Sequence, residues 1–302
     1  MTAPRRRLTV LACVLAVLMI LSGCSGNVAT VGSGYSSDPK RVTISVVNGW
    51  DEGIAAGFLW KQMLEQRGYT VTMQHLDSAS AAFQSVSRGQ SDLFFSANLP
   101  ATHRKYWEKT GDKLDLTSDW NDNISLNMTV PAYMTDVNTI ADVKAKRTEF
   151  NSEIVGIESG SGLATTTQER VIPGYGLQDF TLRTSSTAAM LASLRTAVAQ
   201  QKPVLVTLWK PHWAYTDMPL KVLKDPEGLY GAPDHLRSIS PKGWAVKKPE
   251  VGAWVREFAM TTDQINELEL AIQQAGKGNE QLGATRWLER NQAVTDRWFT
   301  RP

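Results

Sequence analysis

Cysteine is nearly absent from this sequence, and the position of its two copies excludes a disulfide-built fold. Cys13 and Cys24 both fall early in a chain of 302 residues. Everything downstream must be held by its own core rather than by crosslinks, and about 260 residues are enough to build one. An excess of one charge is missing as well. Lys and Arg total 32 against 30 Asp and Glu, and without Arg5, Arg6 and Arg7 the balance is 29 to 30. That excludes a surface built for nucleic acid. Histidine is scarce: His75, His103, His212 and His235 stand far apart, without metal-ligand spacing. The turn "ESGSGL" (158–163) fails the spacing of a nucleophile elbow and lacks the third glycine of a dinucleotide fingerprint. The chain is therefore expected not to be an enzyme and to carry no cofactor and no metal. No fixed-period repeat is present.

What is there begins at the amino terminus. Arg5 to Arg7 form a basic stretch, Leu8 to Ile20 an unbroken apolar run, and Leu21-Ser22-Gly23-Cys24 follows. The run is short of the roughly 20 residues a spanning helix needs and suits a secretory signal peptide. "LSGC" resembles the lipobox of bacterial lipoproteins, in which the cysteine is acylated and heads the mature chain. Residues 1–23 are read as the signal, Cys24 as the lipidation site, and 24–40, rich in Ser and Gly, as a flexible tether. The expected location is the outer face of the cell membrane.

Downstream, hydrophobic periodicity alternates between strand and helix. "RVTISVVNG" (41–49) is β-branched. Residues 52–68 carry the helical stripe Ile54, Phe58, Leu59, Met63, Leu64 and stop at Gly68. A strand over 69–76, a helix over 78–90 capped by Ser78 and a strand over 91–100 complete a β-α-β-α-β unit. The pattern restarts with strands over 125–134, 153–158, 180–186 and 203–209, and helices over 140–150, 161–176 and 187–201. From about residue 245 the sequence reads as mostly helical. Two α/β units suggest two doubly wound lobes with a cleft between them.

Open α/β sheets bind ligands beyond the carboxyl ends of their strands, and aromatics gather there. Trp50 ends the first strand, Tyr133 the strand that opens the second unit, and Trp209 the strand "PVLVTLW", with His212 and Trp213 just beyond. Indole and phenol faces attract cations that cannot donate hydrogen bonds, quaternary ammonium ions above all. Six further tryptophans (107, 120, 244, 254, 287 and 298) read as core or lobe-interface residues. The helix start at Gly53 and Ile54 offers unpaired N–H groups for an anionic end. Ser159 and Ser161, after Glu158, repeat that arrangement at a second strand-to-helix turn.

The segments "GWDEGIA", "LPATHRKYWEK" (99–109), "VPAYMTDVNTIADV" (130–143), "GIESGSGLATTTQERVIPGYGL" (156–177), "VLVTLWKPHWAY" (204–215) and "LKVLKDPEGLYG" (220–231) occur in an order that resembles the OpuAC-type substrate-binding proteins. These serve ABC importers of glycine betaine, choline and related compatible solutes. The resemblance runs from about Val42 to about Gln273. It implies a type II periplasmic-binding-protein fold, with 40–128 and 239–302 as one lobe and 129–238 as the other, and closure on the ligand like a hinged trap. It maps a cation cage onto Trp50, Tyr133 and Trp209, and a polar grip onto Asp51, Glu52, Gly53 and Ile54. Two positions depart from the pattern: Asn98 stands where many relatives have a cage tryptophan, and Met260 where betaine binders often carry another. Asn98 offers a donor and an acceptor instead, and Asp51 and Glu52 favour a cation bearing a hydroxyl. The expected role is capture of a glycine betaine, choline or carnitine type solute and delivery to a membrane permease, by a monomer held to the membrane through Cys24. The alternative is a lipid-anchored sensor or binding protein for another solute (proline, ectoine or a larger ligand) without transport.

Overall fold

The computed structural model describes residues 38–300. The expected signal peptide, Cys24 and most of the tether lie outside them. β1 (Arg41–Val47) is buried at most of its positions because it lies inside the sheet between two parallel neighbours, β2 (Thr70–Leu76) and β3 (Leu93–Leu99). β3 is buried along its whole length. Helix α1 (Asp51–Glu65) crosses from β1 to β2, and α2 (Ala79–Ser87), capped by Ser78 Oγ accepting from the Ala81 N–H at 3.2 Å, crosses from β2 to β3. This is the expected β-α-β-α-β unit.

The second half contains features the periodicity did not show. β4 (Leu114–Pro131) is one strand of 18 residues rather than a short strand opening at 125. Its first part, "LDLTSDWNDN", is rich in Asp and Asn, poor strand formers. It is nevertheless held by antiparallel pairing with β9 (Asp234–Pro241), a strand also missed. From Ser125 onward β4 changes partners and pairs with β7 (Val206–Lys210) and β8 (Leu220–Val222). The change falls upstream of the expected 128/129 boundary. Residues 140–150, expected as a helix, form only a tight 3-10 turn over Ile140–Lys146, capped by Thr139.

The strands run β2-β1-β3-β9-β4-β7-β5-β6, with β8 beside β4. β5 (Glu153–Gly156) lies parallel to both β6 (Thr181–Thr184) and β7. Two mostly parallel groups, β1-β2-β3 and β5-β6-β7, are thus joined through β4 and β9. The carboxyl ends of β1, β3, β5 and β7 supply the residues described below. α4 (Gly162–Thr166) follows β5, and the helix Thr187–Ala199 precedes β7. No helix among the described residues is long and apolar enough to cross a membrane.

Trp120, Trp244, Trp287 and Trp298 are buried in the core, as expected of them. The Trp120 indole N–H donates to the Phe95 carbonyl at 2.8 Å, and that of Trp244 donates to Asp92 at 2.6 Å. The helices Thr262–Ala275 and Glu280–Arg290 pack backbone to backbone at Gly283. A Cβ there would run into the Ile272 Cα and come within 2.7 Å of the Ala271 carbonyl oxygen. Backbone cannot move aside as a side chain can. Gly283→Ala should therefore lower stability by about 1–3 kcal/mol, measured as a shift in the urea midpoint at unchanged slope.

Candidate functional site

A pocket with about 300 Å³ of empty space, part of it open to solvent, lies where the four strand ends meet. Trp50 and Trp209 both line it. Trp50 occupies the N-cap position of α1, where the backbone is still extended, so its ring stays with the end of β1 instead of turning with the helix. The face of His103 stacks on it, with centroids 5.3 Å apart and planes 8° from parallel. Trp209, on β7, sits opposite Leu126 in the antiparallel register with β4, and Leu126 also lines the cavity. His212 meets Trp209 edge to face at 4.6 Å.

Glu52 is the charged group of the cavity. Its side chain comes from the first turn of α1, is 2 % exposed, and is fixed by two donors: Ser96 Oγ–H to Oε1 at 2.9 Å and the Trp209 indole N–H to Oε2 at 3.1 Å. Burial pushes its carboxyl up to about 7. Its own backbone N–H and Ser96 oppose the rise, nearby Asp51 adds to it, and Trp209 opposes it. Asn98, at the end of β3, is 6 % exposed and lines the cavity; its side-chain oxygen has no hydrogen-bond partner among the described residues. The Asn98 backbone N–H donates to His103 Nδ1 at 3.0 Å, and burial holds His103 neutral by pushing it down to about 4. Ser161 lines the opposite wall, its hydroxyl oxygen capping α4 by accepting from the Ala164 N–H at 3.1 Å. Thr102 is held beside it by Asp234, whose carboxylate accepts the Ala101 and Thr102 N–H groups at 2.8 and 2.6 Å.

Other expected site residues lie elsewhere. Tyr133 is not at the cavity: its hydroxyl donates to the Lys202 carbonyl at 2.6 Å, near the end of the helix Thr187–Ala199. The reason is strand direction. β4 runs antiparallel to β7, so its carboxyl end lies beside the start of β7, and the residue that meets Trp209 is Leu126. Asp51 turns away from the cavity and accepts from the Trp213 indole N–H at 2.5 Å. Trp213 and His212 are buried one layer behind Trp209. His212 Nδ1 accepts from the Ala214 N–H at 3.1 Å and Nε2 lies 3.4 Å from Asp51, so its role is structural, and burial pushes it down to about 3. Neither Gly53 nor Ile54 lines the cavity. The Ile54 N–H donates to the Trp50 carbonyl at 3.0 Å, and Gly53 is small because a Cβ would strike Ser96 Oγ. Ser159 is exposed and off the cavity wall. Met260 is buried outside the cavity, its N–H donating to the Trp120 carbonyl at 2.8 Å.

Sequence reasoning missed two residues of consequence. His103 was legible within "LPATH", but its stacking on Trp50 was not. Glu269, 1 % exposed, lies behind the cavity and accepts from the Trp213 N–H at 2.7 Å; burial and then the charges of Asp51 and Glu52 push it well above the usual carboxylate range. Its signal is an acid on the buried stripe Ile265, Leu268, Ala271, Ile272. Among the described residues no group of three or more His, Cys, Asp or Glu is placed to hold a metal ion.

Residues 40–290 match the family described as the substrate binding domain of ABC-type glycine betaine transport systems. The glycine betaine/carnitine transport binding protein GbuC of Listeria monocytogenes serotype 1/2a (strain 10403S) is 33 % identical over 165 residues, which is 53 % of this chain and 54 % of GbuC. The aligned part thus spans about half the length of that curated relative. Lactococcal OpuAC, solved closed with glycine betaine, superposes with a TM-score of 0.79 at 32 % identity over 86 % of this chain and 100 % of that one. ProX from Borrelia burgdorferi, a glycine betaine/L-proline-binding protein, gives 0.78 at 27 % identity over 86 % and 96 %. These relatives share the two-lobed type II periplasmic-binding-protein fold, and they bind substrates without transforming them. The chain belongs to the family of substrate-binding domains of ABC-type glycine betaine transport systems.

Proposed function

We propose that this protein captures a small quaternary ammonium solute between Trp50 and Trp209 and hands it to the permease of an ABC importer. One observation carries the reading: two indoles and a buried carboxylate converge on one cavity whose lining contains neither Lys nor Arg. Such a site attracts a positive charge that needs no hydrogen-bond acceptor of its own, and ring faces in a desolvated cavity contribute about 2 kcal/mol or more. The names of GbuC and of the lactococcal complex, which refer to glycine betaine and carnitine, support the same ligand class.

The lobes in this proposal are residues 40–128 with 239–302, and 129–238. Glu52 and Asp51 on α1 accept from Trp209 and Trp213 of the β7 segment, so the two lobes are latched across the cavity. Opening would break those contacts and admit the solute, and the ligand would favour the closed form by contacting both halves at once. Acylation of Cys24 would keep the binding protein on the outer face of the membrane and close to the permease, raising its local concentration there.

Three outcomes follow. Trp209→Ala should abolish binding of glycine betaine and of choline in titration calorimetry, and Trp50→Ala should weaken it at least about tenfold, the equivalent of roughly 1.4 kcal/mol; unchanged affinities in both variants would reject the site. Asn98→Trp should tighten binding of glycine betaine by adding a ring face worth about 0.5–2 kcal/mol, and no gain would show that the missing ring face lies elsewhere. Cys24→Ala should move the protein from the membrane fraction to the soluble fraction on an immunoblot, and retention in the membrane would count against lipid anchoring.

A further inference from the structure

We propose that Glu52 makes this cavity selective for net charge: it favours quaternary ammonium compounds without a carboxylate, the choline class, and admits a zwitterion such as glycine betaine only with uptake of a proton onto Glu52. The inference rests on the reading of the cavity as a quaternary ammonium site and adds to it which members of that class are preferred and why.

The geometry leaves the Glu52 charge without a protein counter-ion. Both carboxylate oxygens accept neutral donors, from Ser96 and Trp209. α1 contributes a second acid, Asp51, whose side chain keeps 24 % of its exposure and is held by Trp213. The helix Thr262–Ala275 contributes a third, Glu269. β3 offers only the neutral Ser96 and Asn98, and β7 the indole of Trp209. The two imidazoles nearby, His103 and His212, are both held neutral by burial. Asp234, behind Thr102, is another acid; of the cations, the exposed Lys105 acts on His103 and the exposed Arg195 lies over the Trp213 ring, 5.5 Å from its centre, and neither lines the cavity. The charged groups packed around Glu52 are therefore acids, and the missing positive charge must come with the ligand.

A ligand's second end is sorted by the same wall. Glu52 is an acceptor, which suits a hydroxyl that donates, and Asn98 brings both an amide oxygen and an amide N–H donor to the same wall. A carboxylate has no hydrogen to give Glu52, and next to the buried, ionised acid it meets like charge, which raises the proton affinity of one of the pair. The Asn98 amide and the hydroxyls of Thr102 and Ser161 can donate to it but bring no charge. Burial has already pushed Glu52 up to about 7, so the proton is taken from solvent near neutral pH. The signs follow. A cation binds the ionised form, so its affinity falls as pH drops below about 7. A zwitterion binds the protonated form, so its affinity falls as pH rises above about 7. Each is expected to change by up to about tenfold per pH unit on its own side.

The test is titration calorimetry of the full-length protein in detergent with choline and with glycine betaine, from pH 5.5 to 8.5, in buffers of different ionisation heat. The expected result is choline at least about fivefold tighter at pH 8 than at pH 6 with proton release at pH 6, and glycine betaine weaker by a similar factor at pH 8 with proton uptake there. Glu52→Gln should remove both pH trends, weaken choline at pH 8 at least about tenfold, and bring glycine betaine at pH 8 to its wild-type affinity at pH 6. The wild-type series needs no variant to fold. Binding of both ligands with flat pH profiles and no proton exchange would overturn the role of Glu52 while leaving the quaternary ammonium site intact, as would a Glu52→Gln protein whose choline-to-betaine ratio stays within about twofold of wild type. If neither ligand binds at any pH, the quaternary ammonium reading itself falls.

Discussion

The hydrogen bond from the Trp209 indole to the Glu52 carboxylate, 3.1 Å long and sealed from water, is the contact on which the rest of this structure turns. It fixes the ring and the acid of the cavity in one step. It also joins an element of the β1-β2-β3 group to one of the β5-β6-β7 group, so in the proposed reading the wall of the cavity and the latch of the lobes are the same atoms. A carboxylate in such a place is unstable as an isolated charge. Ser96 and the indole reduce that cost without cancelling it. The remainder is a drive to accept a positive ligand or a proton, and either one relieves it.

The surroundings can be understood as support for that contact. Gly53 is bare of a side chain so that α1 can approach Ser96 on β3, which brings Glu52 within reach of the Ser96 hydroxyl. Trp213, pinned by Asp51 through its ring and by Glu269 through its backbone, holds the segment that follows Trp209. His103 backs Trp50 and takes its own orientation from the Asn98 N–H. Asp234, at the start of β9, ties down the Ala101–Thr102 turn. Residues remote in sequence are thus committed to positioning two rings and one acid to within the tolerances that ligand selection requires.

The sequence was informative where a side chain's position follows from local pattern. Trp50, Asn98, Ser161 and Trp209 all stand at or just beyond the ends of strands that runs of apolar and β-branched residues revealed, and strand ends meet at the cleft in this kind of sheet. Tyr133 followed the same rule and failed it, because the rule depends on strand direction. Nothing in 125–134 tells that β4 begins at Leu114 and runs against β7. The Asp- and Asn-rich stretch that hides this is held by pairing with β9, a contact between residues more than a hundred positions apart. Glu52 and Asp51 were visible as adjacent acids, but only the turn of α1 separates them, sending one into the cavity and the other to Trp213. Glu269 was hidden by distance along the chain, although its place on an apolar stripe marks it.

The most direct measurement of the central claim is a crystal structure of the protein grown with choline. The account predicts the trimethylammonium nitrogen within about 6 Å of the ring centres of both Trp50 and Trp209, on the side of Glu52, with the hydroxyl turned to Asn98 or to Glu52 itself. A ligand bound elsewhere, or one seated in this cavity with its ammonium group turned away from Glu52 and the two indoles, would contradict it.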